Sequence, residues 1–385
     1  MRADNKRNTK KIVSTSLTIV AILVLILAIL AASFFGVLLL RDNKVPAYEM
    51  GTTLSAPVSF HTDLQAGFLN EKFYWNIKPY GDGTKELSRP KALNVSWNTV
   101  LPSTGYCAVF SEYEDMHDPI VYPLGTDAQT DVYNLKVGTT YYCQIYSPLS
   151  VPISEKKILT TDARPPRNMY VDGVTNVRDL GGWAIPGGRV KQGLIYRCGR
   201  LNENRTEKIT PKITEEGVRT MLDVMKIRSE MDLRKVEDNE VGGLTDTSVL
   251  GAGVNYYQCP MGWDNNMLLN NIPMVKHIFS DILSKEDNYP LIFHCSIGTD
   301  RTGMIAFMLN GLLGVDINDL YRDYLFSNFG DIGGNRDVIG ITFNYVATLQ
   351  STKGKTFSEK VENYLLSIGV TKAEIESIRT ILSEK

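Results

Sequence analysis

An apolar run, Leu291 to Phe293, leads directly into His294-Cys295-Ser296-Ile297-Gly298-Thr299-Asp300-Arg301-Thr302-Gly303, and a second apolar stretch follows. Five residues separate Cys295 from Arg301. A loop of that length between a strand end and a helix start can turn the backbone N–H groups of Ser296, Ile297, Gly298, Thr299, Asp300 and Arg301 toward a tetrahedral dianion, with the helix dipole adding positive potential. The same field is expected to depress the Cys295 thiol below ~8.5 and make a thiolate nucleophile. Arg301 would grip two phosphoryl oxygens with its planar fork. Gly298 permits close backbone approach, and the Thr302 hydroxyl can bond the sulfur and assist its departure from a phosphocysteine.

This pattern resembles the signature loop of the cysteine-dependent protein tyrosine phosphatases, His-Cys-x5-Arg-Ser/Thr. Asn176-Val177-Arg178-Asp179-Leu180-Gly181-Gly182 and Gly188-Arg189-Val190-Lys191-Gln192-Gly193-Leu194-Ile195-Tyr196-Arg197-Cys198-Gly199-Arg200-Leu201 resemble the opening of its bacterial tyrosine/lipid phosphatase branch. Asp232-Leu233-Arg234 and the tail from Tyr364 to Thr371 fit the same branch. The resemblance spans about residues 165–385 and implies a phosphomonoesterase. It also makes Arg178, Asp179, Arg197 and Asp232 braces around the loop. Thr299 departs from the pattern, because relatives carry a Lys there, and its loss argues against a polyanionic lipid substrate.

A phosphatase needs an acid within hydrogen-bond reach of the leaving oxygen. Asp300 matches the acid of the branch's own loop. Asp264, in Cys259-Pro260-Met261-Gly262-Trp263-Asp264, lies 31 residues before Cys295, which resembles the acid loop of dual-specificity phosphatases. Both remain candidates.

The elements that must hold these groups are legible as alternation. Apolar strands are expected at Leu194–Arg197, Ile227–Leu233, Val254–Gln258 and Leu291–His294, and helices at Thr210–Lys226, Pro273–Lys285, Arg301–Leu313 and Thr371–Ser383. The last helix opens with a capping box, Thr371-x-x-Glu374. Such alternation predicts an α/β fold with a mostly parallel sheet flanked by helices over residues 164–385. Arg164-Pro165-Pro166-Arg167 marks the boundary, because consecutive prolines stop strand pairing.

Before it, residues 53–163 show short alternating strands at Leu93–Val100, Gly105–Ser111, Thr140–Ser147 and Lys156–Thr161, the pattern of a β-sandwich. Trp97 and the Leu135-x-x-Gly138-x-x-Tyr141 corner resemble a fibronectin type III domain, which implies a spacer or adhesive module. In that fold Cys107 and Cys143 would sit on neighbouring strands, close enough for a disulfide to be an open question.

Residues 12–40 are 29 uncharged positions, and about 20 suffice to cross a ~30 Å hydrocarbon layer. A single transmembrane anchor is expected there, longer than a cleaved secretory core of about 7–15 residues. Arg2, Lys6, Arg7, Lys10 and Lys11 against Asp4 give residues 1–11 a charge of +4, which is expected to place this tail in the cytoplasm and residues 41–385, the linker 41–52 included, outside the cell.

The net charge of −2 therefore leaves −6 on the outer part, which does not suit a nucleic-acid partner. Five cysteines and four histidines at spacings foreign to metal sites predict no metal and no cofactor. The expected partner is a phosphorylated protein or small phosphomonoester. The resemblance also admits a phosphoinositide or inositol-polyphosphate phosphatase, and a non-catalytic phosphoprotein-binding surface protein stands as the reading from another class.

Overall fold

The computed structural model describes residues 20–31, 56–96, 105–124, 129–202, 212–235 and 246–385. The tail 1–11, the linker 41–52, most of the span 12–40 and Trp97 lie outside them. Within the span, residues 20–31 are helical and exposed, and no helix among the described residues is long and apolar enough to cross a membrane.

Contacts divide the chain into two compact units. The smaller includes residues 94–131 and 141–158. Its four-stranded sheet has the order Ile120–Pro123, Cys107–Ser111, Thr140–Tyr146, Lys157–Thr160, and the first three strands run antiparallel. Tyr141, Cys143 and Ile145 are buried and alternate with half-buried neighbours, the period-two mark of a strand with one covered face. A separate two-stranded sheet pairs Leu93–Ser96 with Gln129–Val132. Cys107 stands opposite Tyr146 and Cys143 opposite Phe110, so the two thiols are out of register and no disulfide joins them, the Cys143 thiol donating instead to the Lys157 carbonyl at 3.3 Å.

The larger unit takes in residues 54–93 and 132–140 as well as 159–385, so the contacts cut across the expected division into 53–163 and 164–385. The cause is a helix, Asp63–Asn70, opened by a reciprocal cap in which Thr62 accepts from the Gln65 amide and Gln65 accepts from the Thr62 amide. That cap fixes a short helix that buries Phe68, and Phe68 and Ile77 join the core cluster containing Phe293 and Met304.

The central sheet has six strands in the order Asn255–Gln258, Ser229–Asp232, Leu291–His294, Ile195–Cys198, Arg178–Asp179, Arg167–Asn168. The first four run parallel, Arg178–Asp179 pairs antiparallel with Ile195–Cys198, and Arg167–Asn168 pairs antiparallel with Arg178–Asp179, so the expected mostly parallel sheet is present and the second arginine of the Pro-Pro boundary already belongs to its edge. Leu291–His294 is buried throughout, which is why it reads as a continuous apolar run. Helix Asp300–Leu313 is buried at every position from Arg301 onward and ends at Gly314, whose φ of 101° provides the left-handed stop. Helical segments at residues 215–224, 272–283, 300–313 and 372–382 fall within the four expected ranges or within one residue of them, and Thr371 and Glu374 form the expected capping box. Ile317–Phe326 and Phe357–Ser367 are additional helices.

Candidate active site

The parallel register sets Cys198 beside His294, so two strand ends deliver Gly199 and Cys295 to the same place. There the loop 295–301 has its carbonyls pulled outward one after another. The Ser296 carbonyl accepts from the Arg200 amide at 3.1 Å. Asn176 Nδ2 donates to the carbonyls of Ile297 at 3.3 Å and Gly298 at 3.1 Å. Arg197 donates to the Gly298 carbonyl at 2.8 Å. With its carbonyls turned away, the loop is free to present its N–H groups to an anion on the inner side. Gly298 has φ 71°, and a Cβ there would stand 2.2 Å from the Cys198 carbonyl oxygen, so no other residue fits.

Arg197 can do this because Asp323 holds it. The Asp323 carboxylate accepts from Arg197 at 2.8 Å and from Arg178 at 2.8 Å, and Arg178 also bonds the Asp323 carbonyl at 2.7 Å, the Ser327 hydroxyl and Asn176 Oδ1. Burial would raise the Asp323 carboxyl, but the two guanidiniums outweigh it and hold it below the usual range. Arg178 and Asp179 share a strand yet serve different ends. Asp179 accepts from Arg167 at 2.8 Å and from the amides of Gly181 and Gly193, away from the loop.

Cys295 is buried, which alone would push its thiol up. The Arg301 guanidinium and the Thr302 hydroxyl and amide overcome that and bring it below the ordinary thiol value. The buried Thr302 hydroxyl has no oxygen or nitrogen partner among the described residues, so the sulfur is the acceptor it can serve. Burial moves Cys107 and Cys198 in the opposite direction and pushes Cys259 up to about 12. The Arg301 guanidinium is steadied by the carbonyls of Leu233 and Met261, each at 3.4 Å. Thr299 is fully buried and its hydroxyl turns back to the Ile297 carbonyl at 3.4 Å, leaving no cation at that position.

Beside Cys295 in the chain, His294 Nε2 lies 2.9 Å from Glu230 and Nδ1 lies 3.8 Å from Asp232. Burial lowers the imidazole, but Asp232 and Glu230 together raise it above its ordinary value. Glu230, Asp232 and His294 offer atoms within 4.8 Å of one another, the one such group of metal-ligating type among the described residues. Its oxygens are already engaged: Arg234 and Tyr256 donate to Asp232, and Ser248 to Glu230. A saturated, buried cluster of this kind orients the histidine instead of recruiting an ion.

At Asp300 the loop borders a cleft of about 340 Å³ whose lining includes both candidate acids, Asp264 and Asp300, together with Trp263, Tyr324, Arg336 and Asn344. Asp300 accepts from Arg336 at 3.2 and 3.3 Å and from the Tyr324 hydroxyl at 3.2 Å. Asp264 is exposed and accepts from the Asn266 amide at 2.8 Å and from Asn270 at 2.9 Å. Sequence reasoning singled out neither Arg336 nor Asp323. Arg336 follows Gly333-Gly334 in a loop without periodicity, and Asp323 is one of two aspartates on the amphipathic helix Ile317–Phe326, so neither carries a local signal.

The fold and this loop define a class. Residues 169–384 match the model of the tyrosine phosphatase family, and the chain belongs to that family. It is 26% identical over 186 residues to a Cupriavidus necator protein named a putative tyrosine-protein phosphatase, covering 42% of this chain and 63% of that one. It is 30% identical over 138 residues to a tyrosine-protein phosphatase of Nostoc commune, covering 29% and 45%. The chain thus spans between about half and two thirds of the curated relatives it matches. Among solved structures, the core catalytic domain of the PP-IP phosphatase SIW14 from S. cerevisiae in complex with citrate is 17% identical, covers 40% of this chain and 82% of that one, and superposes with a TM-score of 0.28.

Proposed function

We propose that this protein is a cysteine-dependent phosphomonoesterase acting through a phosphocysteine intermediate, with a phosphotyrosine-type or dual-specificity substrate. The observation that carries the reading is the lowered, buried Cys295 thiol inside a loop whose carbonyls are tied outward. Cys295 attacks phosphorus, forming the S–P bond as the ester P–O bond breaks. Arg301 and the amides of residues 296–301 stabilise the equatorial oxygens, and Thr302 supports the sulfur as it leaves. Asp300 protonates the leaving oxygen and then takes a proton from the attacking water. Its charge bears on the Cys295 sulfur, and Arg336 and Tyr324 orient its carboxyl. An incoming phosphate dianion competes for Arg336 and releases that carboxyl. Asp264 is the alternative acid, because it lines the same cleft.

A monoester with one phosphate suits the cleft better than a polyphosphorylated ligand. Arg336 is the one cation among its lining residues, it is already paired with Asp300, and Asp264 and Asp337 add negative charge. Thr299 supplies no second cation, so the phosphoinositide reading is the weaker one, and the intact nucleophile disfavours a binding-only role.

The remainder of the chain completes the proposal: an uncleaved anchor at residues 12–40, supported by its 29 uncharged positions, a fibronectin type III-like spacer, and a catalytic unit outside the cell. The test is hydrolysis of an aryl phosphate by the full chain with a chelator present. Wild type should turn over and Cys295→Ser should not; equal rates refute the nucleophile, and activity that requires added metal refutes the mechanism. Protease added to intact cells should reach the catalytic unit, and its protection would overturn the topology.

A further inference from the structure

The family match begins at Met169, but the phosphate loop is braced from further back in the chain. The turn Thr175-Asn176 carries two of the loop carbonyls through Asn176 Nδ2, and the Thr175 carbonyl accepts from the Gly199 amide at 2.9 Å. Asn176 has φ 59°, a left-handed conformation that a non-glycine residue keeps only when its surroundings over-determine it. Those surroundings come from residues 86–88. Ser88 is buried, and its hydroxyl oxygen accepts from the Asn176 amide at 2.9 Å. The Ser88 amide and hydroxyl both donate to Glu86 Oε1, at 3.0 and 2.5 Å. Glu86 Oε2 accepts from the Thr175 hydroxyl and, at 3.4 Å, from the Asp331 amide. The segment is itself seated by buried amides: Gln65 donates to the Leu87 and Arg89 carbonyls, and Asn168 donates to the Ser88 carbonyl at 3.2 Å.

We infer that Glu86 and Ser88, which lie before the family's matched region, are positioning residues for the phosphate loop. The relay runs from Glu86 to Ser88, to the Asn176 amide, and from the Asn176 side chain to the Ile297 and Gly298 carbonyls. It sets the orientation of the loop amides, and through them the anion affinity of the loop and the ionisation of Cys295. Withdrawing the Ser88 oxygen strands a buried N–H at a strained residue, and the cheapest relief is for Asn176 to turn, taking the loop with it. The inference rests on the cysteine chemistry proposed above.

The experiment compares wild type, Ser88→Ala, Ser88→Thr and Glu86→Gln in the full chain. It reads aryl phosphate kcat and KM, inhibition by vanadate, the pH dependence of Cys295 alkylation by iodoacetate, and thermal unfolding. Ser88→Ala and Glu86→Gln should lower kcat about tenfold or more, as expected when reacting groups are slightly misplaced. They should also weaken vanadate and move the alkylation profile to higher pH, while Ser88→Thr, which keeps the hydroxyl, restores all three. A purely structural role would lower the melting temperature and leave these properties of the folded fraction at wild-type values, and that result overturns the inference. Should Ser88→Ala fail to fold, Glu86→Gln, which keeps volume and one oxygen acceptor, carries the same readouts. Wild type that shows neither hydrolysis nor a low-pH alkylation profile would instead refute the cysteine mechanism.

Discussion

The two sides of the loop 295–301 are built on opposite principles. Behind it, Arg178, Asp323 and Arg197 are almost wholly shielded from solvent, and each charge is met by another within 2.8 Å. In front of it, Asp264 and Trp263 stand in solvent and Arg336 is only partly covered. A buried charge network tolerates no loss, because the partner left behind stays desolvated, whereas an exposed one is screened and replaceable. The back of the site therefore fixes where the loop carbonyls point, and on the proposed function the front is where substrates are chosen. Substitutions on the two sides should differ in kind as well as in size.

The largest effect is expected at Asp323. Asp323→Asn leaves two buried guanidiniums facing each other and should cost about 3–5 kcal/mol of unfolding free energy in urea titrations, with loss of activity at all substrates. The pH dependence has a definite sign. The Asp323 carboxyl is held below its unfolded value, so its contribution is fully present above the unfolded pKa of ~3.9 and is lost as pH falls through the lower folded value. Wild-type stability should thus decline through this acid window, and the Asp323→Asn curve should be flatter there. An unchanged slope would show that the network is not what keeps the loop in place.

That back wall was only half visible in the sequence. The loop 295–301 was legible through its fixed spacing of residue types, and Leu291–His294 because a strand buried throughout reads as an apolar run. Arg178 and Arg197 were legible through their resemblance to a family. Asp323 was not, since a buried salt bridge between residues 126 positions apart leaves no periodic trace. The place of residues 54–93 within the larger unit went unsignalled by any periodic run, although Thr62-x-x-Gln65 is a capping box of the kind recognised at Thr371 and marks the helix Asp63–Asn70. Strands at Ile120–Pro123 and Gln129–Val132 escaped notice because four residues are too few for alternation to rise above chance.

A smaller, selective effect separates the two acids. Protonation of the leaving oxygen matters for a poor leaving group such as a tyrosyl oxygen with pKa ~10 and little for an activated phenol. Asp300→Asn should therefore steepen the dependence of rate on leaving-group pKa and erase the basic limb of the pH–rate profile, while Asp264→Asn lowers rates uniformly by a small factor. The reverse outcome would make Asp264 the donor and Asp300 a brace shared by Arg336 and Tyr324.

The smallest effect belongs to the rim, and it is the sharpest test of the division between back and front. Trp263 is 62% exposed beside Asp264, so its indole contributes little to the core and truncation should change stability by no more than about 0.5 kcal/mol. An aryl ester that leaves its ring in the cleft can stack on that indole, an interaction of about 0.5–1.5 kcal/mol. Because the contact is made equally before and during phosphoryl transfer, its loss is uniform binding: KM should rise roughly two- to tenfold with kcat unchanged. The rise should vanish for an alkyl phosphate of similar size, which has no ring to stack. If Trp263→Ala lowers kcat instead, the indole is helping to shape the transition state, and the front of the site takes part in the chemistry as fully as the back.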